Sequence, residues 1–122
     1  MVITPIDIKG QDERGYTAEY IHAREGKQLI VHRKAGSVSG RHYHKGLSAT
    51  KNPEIFILLN GSCTINWYHV DDKELHTKEL NAPVQLEIAP LEWHEVIAIT
   101  DCTFLELNSI AEHQADTFYI DQ

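Results

Sequence analysis

The chain has 122 residues, enough for one domain and too few for two of ordinary size. Hydrophobic residues make up 42% and charged residues 24%, a globular mix that excludes general disorder. With 18 acidic against 11 basic residues the net charge is -7, which argues against nucleic acid as a partner.

The N-terminal stretch holds Val2-Ile3 and Ile6 to Ile8, and Asp7 and Lys9 break any signal-like apolar run. This segment suits a strand that is added to, or exchanged with, a neighbouring sheet, and a homodimer is expected. Leu29 to Val31 is the next apolar stretch. Ile55 to Leu59 is a continuous apolar run, the pattern of a strand buried on both faces. It is the longest such run, far short of the about 20 residues that cross a bilayer as a helix, so no membrane partner and a cytoplasmic location are expected. Cys63, Ile65 and Trp67 alternate with Thr64, Asn66 and Tyr68, as in a half-buried strand. Asp71 to Lys73 reads as a turn and Leu75 to Leu80 as the return strand of a hairpin. Val84, Leu86 and Ile88 alternate, and Val96 to Ile99 and Phe104 to Leu107 complete the strands. One short helix is expected over Ser109 to Asp116, with Asn108 as its N-cap. Cys63 and Cys102 lack the spacing of a redox or zinc motif and read as buried apolar side chains. The sum is a single all-β domain over residues 1–122, an antiparallel sandwich or small barrel.

Eight histidines are many for this length. His42 and His44 are two apart, so on a strand both imidazoles face one side and Tyr43 faces the other. Neutral imidazoles side by side offer nitrogen lone pairs to a metal. Glu54 opens the apolar run, and a buried carboxylate there needs a partner such as a divalent cation. Pro90 to His94 brings a third histidine to the start of another strand. His42, His44, Glu54 and His94 are therefore the candidate ligands, and such a set leaves coordination positions for substrate. Arg41 and Lys45 flank the pair and Trp93 adjoins His94, so these three are candidates for substrate contact. His22, His69, His76 and His113 lie among polar neighbours and are expected on the surface.

The pattern Gly36-x5-His42-x-His44-x9-Glu54-x6-Gly61 resembles the first motif of the cupin superfamily, and Pro90-x3-His94 resembles the second. The resemblance implies an antiparallel jelly-roll barrel, a double-stranded β-helix. It also implies a divalent transition metal (zinc, manganese, iron or nickel) on the four candidate ligands. The gap of nine residues before Glu54 exceeds the usual three or four, so Gly46 to Pro53 reads as an inserted loop. Asp12-Glu13-Arg14-Gly15 and Arg41-His42-Tyr43-His44 are similar to the nucleotide-sugar epimerase and ketoisomerase branch, and to the C-terminal cupin of capsular-polysaccharide enzymes.

That branch implies a small-molecule substrate, a nucleotide sugar, and proton removal beside a carbonyl. With the metal in place a free base is needed, for which His32 and Tyr119 are the candidates. In the metal-free members that the Asp12 to Gly15 tetrad resembles, His42 and His44 would transfer the proton themselves. A metal-dependent dioxygenase and a non-catalytic sugar-binding barrel stand as alternatives.

Overall fold

The computed structural model describes residues 1–120. Among them are β1 (Val2–Pro5), β2 (Ile8–Asp12), β3 (Gly15–Ala18), β4 (Leu29–Arg33), β5 (Val38–His42) and β6 (Glu54–Asn60). Then come β7 (Ser62–His69), β8 (His76–Asn81), β9 (Val84–Ile88), β10 (Glu92–Ala98), β11 (Cys102–Glu106) and the helix α1 (Ile110–Ala115). One sheet has the order β1-β9-β6-β11-β4, a second has β5-β10-β7-β8, and β2 and β3 form a separate ribbon. Every pairing is antiparallel.

Alternation decides which side chains meet between the sheets. In β10 Glu92, His94, Val96 and Ala98 are buried while the residues between them are not. In β9 Val84, Leu86 and Ile88 point inward in the same way. They pack with Phe56, Leu58, Cys63, Ile65 and Phe104 into one core. Each such Leu, Ile or Phe removed from water contributes roughly 1.5–3 kcal/mol.

β6 is buried on both faces, as its apolar run requires. Phe56 and Leu58 join the main core, whereas Ile55 and Ile57 pack outward with Ile6 and Leu107, against Ala18 of the ribbon. Glu54 shares the parity of Phe56 and Leu58, so its carboxylate starts the inward face. The N-terminal strand β1 pairs with β9 of its own chain.

Two glycines fix turns that no other residue fits easily. At Gly61, between β6 and β7, φ is +92° and an added Cβ would lie 2.2 Å from the Asp101 carbonyl oxygen. At Gly40, φ is +85° and a Cβ would lie 2.9 Å from the His94 carbonyl oxygen. There β5 bulges against β10, and the register shifts between His94 and Glu95. The bulge leaves His42 directly opposite His94.

No helix among the described residues is long and apolar enough to cross a membrane. Cys63 and Cys102 are free and buried.

Candidate active site

His42 ends β5, His44 follows two residues later, His94 stands opposite on β10, and Glu54 opens β6. Their rings and carboxylate converge. Ring centroids are 4.9 Å apart for His42 and His44, 4.9 Å for His42 and His94, and 5.4 Å for His44 and His94. Glu54 reaches His44 Nε2 with Oε2 at 2.6 Å and His94 Nε2 with Oε1 at 3.9 Å.

A fourth imidazole comes from α1. His113 lies 5.2 Å from His42 and 5.6 Å from His44, centroid to centroid, and is not the surface residue that its polar neighbours suggest. The helix is set by a capping box in which Ser109 and Glu112 exchange hydrogen bonds, so the N-cap is Ser109 rather than Asn108.

The protonation pattern follows from the partners. His44 Nδ1 lies 2.5 Å from the Asp116 carbonyl oxygen, and His94 Nδ1 lies 3.0 Å from that of Glu92. A carbonyl only accepts, so both Nδ1 atoms carry a hydrogen, and both Nε2 atoms are turned toward Glu54. His44 Nε2 is buried and, despite its closeness to Glu54, lacks a partner in hydrogen-bond geometry.

Burial disfavours the charged form of three of these imidazoles. Burial first, then the neighbouring His94 and His44, push His42 down to about 3. Burial, then the Lys51 ammonium, push His113 down to about 4. Burial lowers His94 as well. For Glu54, burial works to raise the carboxyl, but His44, His94 and Lys51 outweigh it and hold it well below the usual range. The site thus presents an ionised carboxylate beside the uncharged His42, His94 and His113.

That donor set suits a divalent metal. The nitrogen and oxygen atoms of His44, Glu54 and His94 lie within 4.8 Å of one another, as do those of His42, His44 and His113. His44, whose Nε2 is unpartnered, belongs to both groups.

The cluster opens on a cavity of about 200 Å³ between the sheets, lined by His42, Glu54, His94 and His113 and walled by Leu29, Val31, Phe56 and Phe104. Two further charged residues line it, Arg33 on β4 and Glu106 on β11. Burial, then the charge of Glu54, raise the Glu106 carboxyl. A more open groove of about 360 Å³ runs along Gly10 to Thr17, but it holds neither imidazole nor buried carboxylate.

Other candidates fall outside the cavity. His32 points outward from β4, within 3.4 Å of Thr103 Oγ1, because Leu29, Val31 and Arg33 take the inward parity. Arg41 is 65% exposed and pairs with Glu95 at 3.0 Å. Lys45 lies over the Phe118 ring at 4.0 Å, and Trp93 stacks on Tyr68 with ring centroids 4.7 Å apart. Tyr119 is 68% exposed, yet its ring lies 6.2 Å from that of His42, just outside the cavity lining. Asp12 and Arg14 pair with each other in the exposed β2–β3 turn, away from the cluster.

Two facing antiparallel sheets with a histidine and carboxylate cluster between them define a jelly-roll cupin. The chain belongs to the family described as the polysaccharide biosynthesis C-terminal domain, which matches residues 10–118. Among solved structures it resembles the sugar 3,4-ketoisomerase QdtA from Thermoanaerobacterium thermosaccharolyticum in complex with TDP. The two are 26% identical, with a TM-score of 0.74 over 98% of this chain and 87% of that one. The capsular polysaccharide assembling protein CapF from Staphylococcus aureus is 20% identical, with a TM-score of 0.63 over 97% of this chain and 33% of CapF. The dTDP-6-deoxy-D-glucose-3,5-epimerase RmlC from Legionella pneumophila is 17% identical, with a TM-score of 0.67 over 97% of this chain and 71% of RmlC. These last two bear on the fold alone. No curated protein matches the sequence.

Proposed function

We propose that this chain is an epimerase or ketoisomerase acting on a keto nucleotide sugar in polysaccharide biosynthesis, with a divalent transition metal held by His42, His44, Glu54 and His94. The observation that carries it is the cavity itself. The uncharged His42, His94 and His113, an ionised Glu54 and a separate raised carboxyl, Glu106, line one apolar-walled space. Family membership and the likeness to a TDP-bound ketoisomerase support the substrate class.

The residues divide by acidity. A histidine at about 3 is a poor proton acceptor at neutral pH but a ready lone-pair donor, so His42 suits ligation better than base catalysis. Glu106 suits proton transfer, because burial moves it toward the working range. It takes the hydrogen beside the sugar carbonyl and returns it on the adjacent carbon or the opposite face. When bound, the metal supplies a Lewis acid for the oxygen that gains charge. Half-buried Arg33 offers a guanidinium fork for the diphosphate, and Leu29, Val31, Phe56 and Phe104 keep water from the reacting carbons.

We place the enzyme in the cytoplasm as a homodimer. The exposed Ile8 and Tyr16 on the ribbon favour a partner surface there.

Incubation with a 4-keto nucleotide sugar in deuterated water, with each candidate metal in turn, tests the reading. Deuterium is expected at the carbon beside the carbonyl. No exchange with any metal overturns it, and oxygen consumption with Fe(II) would assign the cavity to an oxygenase instead.

A further inference from the structure

The insertion between His44 and Glu54 turns back into the site. The Asp116 carboxylate accepts hydrogen bonds from the backbone of Lys45 at 2.8 Å and Ser48 at 3.2 Å. Glu112 accepts from Thr50 Oγ1 at 2.9 Å and Ser48 Oγ at 3.3 Å. An isolated antiparallel bridge then joins Lys51 to Glu54. Pinned in this way, the Lys51 side chain is 0% exposed.

Its ammonium has one acceptor for each of its hydrogens. Lys51 Nζ donates to Glu54 Oε2, to Asn108 Oδ1 at 3.2 Å and to His113 Nδ1 at 2.9 Å. The Glu54 oxygen that receives it also lies 2.6 Å from the unpartnered His44 Nε2. The chain therefore supplies a positive charge of its own to the carboxylate assigned to the metal. Two cations sharing one buried oxygen repel strongly, since little water screens them.

We infer that Lys51 is a tethered cation that competes with the divalent metal for Glu54, so that the inserted loop sets the metal affinity of this centre. The inference rests on the metal reading above. Without metal, the ammonium neutralises the buried carboxylate. On metal binding, Asn108 and His113 remain as its acceptors while Glu54 turns to the metal.

Zinc and cobalt(II) titrations of the wild type, Lys51→Met and Lys51→Arg test this by calorimetry, with melting temperatures before and after metal. Lys51→Met is expected to bind at least tenfold more tightly than the wild type and to gain more in melting temperature on loading. Lys51→Arg, which keeps the charge, stays within threefold of the wild type. Equal or weaker binding by Lys51→Met overturns the competition while leaving the metal reading intact. Binding by neither protein overturns both. If Lys51→Met folds only when zinc is added, the metal has replaced the ammonium, as inferred. If it stays unfolded with zinc, the inference fails.

Discussion

Lowering the pH from 7.5 to 5.0 in the presence of a chelator should cost this protein about 3 kcal/mol of stability, mostly through His42 and His113. His42 is held at about 3 in the fold against 6.5 for a free imidazole. Because the folded value is depressed, the unfolded chain takes up a proton that the native site refuses. Stability is thus full above pH 6.5 and drains as the pH falls toward 3. At pH 5.0 the unfolded imidazole is about 1.5 pH units below its midpoint, worth about 2 kcal/mol at 1.36 kcal/mol per unit. His113, at about 4, follows the same course, but it is only half buried and solvent screening reduces its share to about 1 kcal/mol. Buried His94 adds in the same direction. Glu54, held low, loses its contribution only below pH 4.5, outside this window. Glu106, held high, works the other way and offsets part of the loss, because its protonated form is favoured in the fold.

Urea unfolding at half-unit pH steps measures the slope, and His42→Gln is the control. Glutamine does not titrate, so its stability should fall by about 2 kcal/mol less than that of the wild type across the same range. A wild type equally stable at both pH values, or a variant with an unchanged slope, would refute the burial argument for a neutral His42.

Other outcomes follow from the same geometry. His94→Ala and Glu54→Gln should each weaken zinc binding by at least about a hundredfold in a competition assay, since each removes a donor atom from the cluster. Glu106→Gln should lower kcat by about a hundredfold to ten-thousandfold while leaving stability at pH 7 equal or higher, because it removes a carboxylate whose ionisation burial opposes. Kinetics paired with thermal melts check both halves, and retained turnover would remove Glu106 from the chemistry. Gly61→Ala should cost about 2–3 kcal/mol in chemical denaturation, because the new methyl meets the Asp101 carbonyl at a backbone angle that alanine resists. A loss under about 0.5 kcal/mol would show that the β6–β7 turn yields instead.

The strands were legible where one face is dry and the other wet. β7 and β9 alternate in sequence as they do in burial, and the unbroken run of β6 marks its two dry faces. The expected return strand over Leu75 to Leu80 begins at His76, and only Leu80 is buried, as suits the edge of a sheet. The convergence of His42, His44, Glu54 and His94 was legible because residues at or beside strand ends keep a fixed parity. The same parity argues against Arg41 and Lys45. Each adjoins a site histidine in sequence, where a neighbour on an extended chain faces the other way, although Arg41 itself takes a left-handed turn (φ +60°) and pairs with Glu95. Trp93 beside His94 fails for this reason. For His32 and Arg33 the parity becomes readable only through Leu29 and Val31, whose apolar side chains mark the inward face. Glu106 follows Phe104 by the same step of two. No local signal could have announced His113, because its place depends on how α1 docks against the loop that follows His44.

The long gap before Glu54 shows why ligand spacing is a weaker criterion than ligand parity. Extending a loop from about four residues to about nine costs only about 0.7 kcal/mol in closure entropy. The hydrogen bonds from Lys45, Ser48 and Thr50 to Asp116 and Glu112 can offset that. The carboxylate keeps its place because β6 is held by β9, β11 and the packing of Ile55 and Ile57, none of which the loop touches in sequence. An insertion at this point can therefore vary in length while β9 and β11 hold β6 in place. What it changes is the charge it carries inward. A loop ending in a neutral residue would leave Glu54 to the metal alone, whereas this one delivers Lys51 to the same oxygen. On the inference that Lys51 competes for Glu54, chains with the same candidate ligands would differ in metal affinity through the loop they carry.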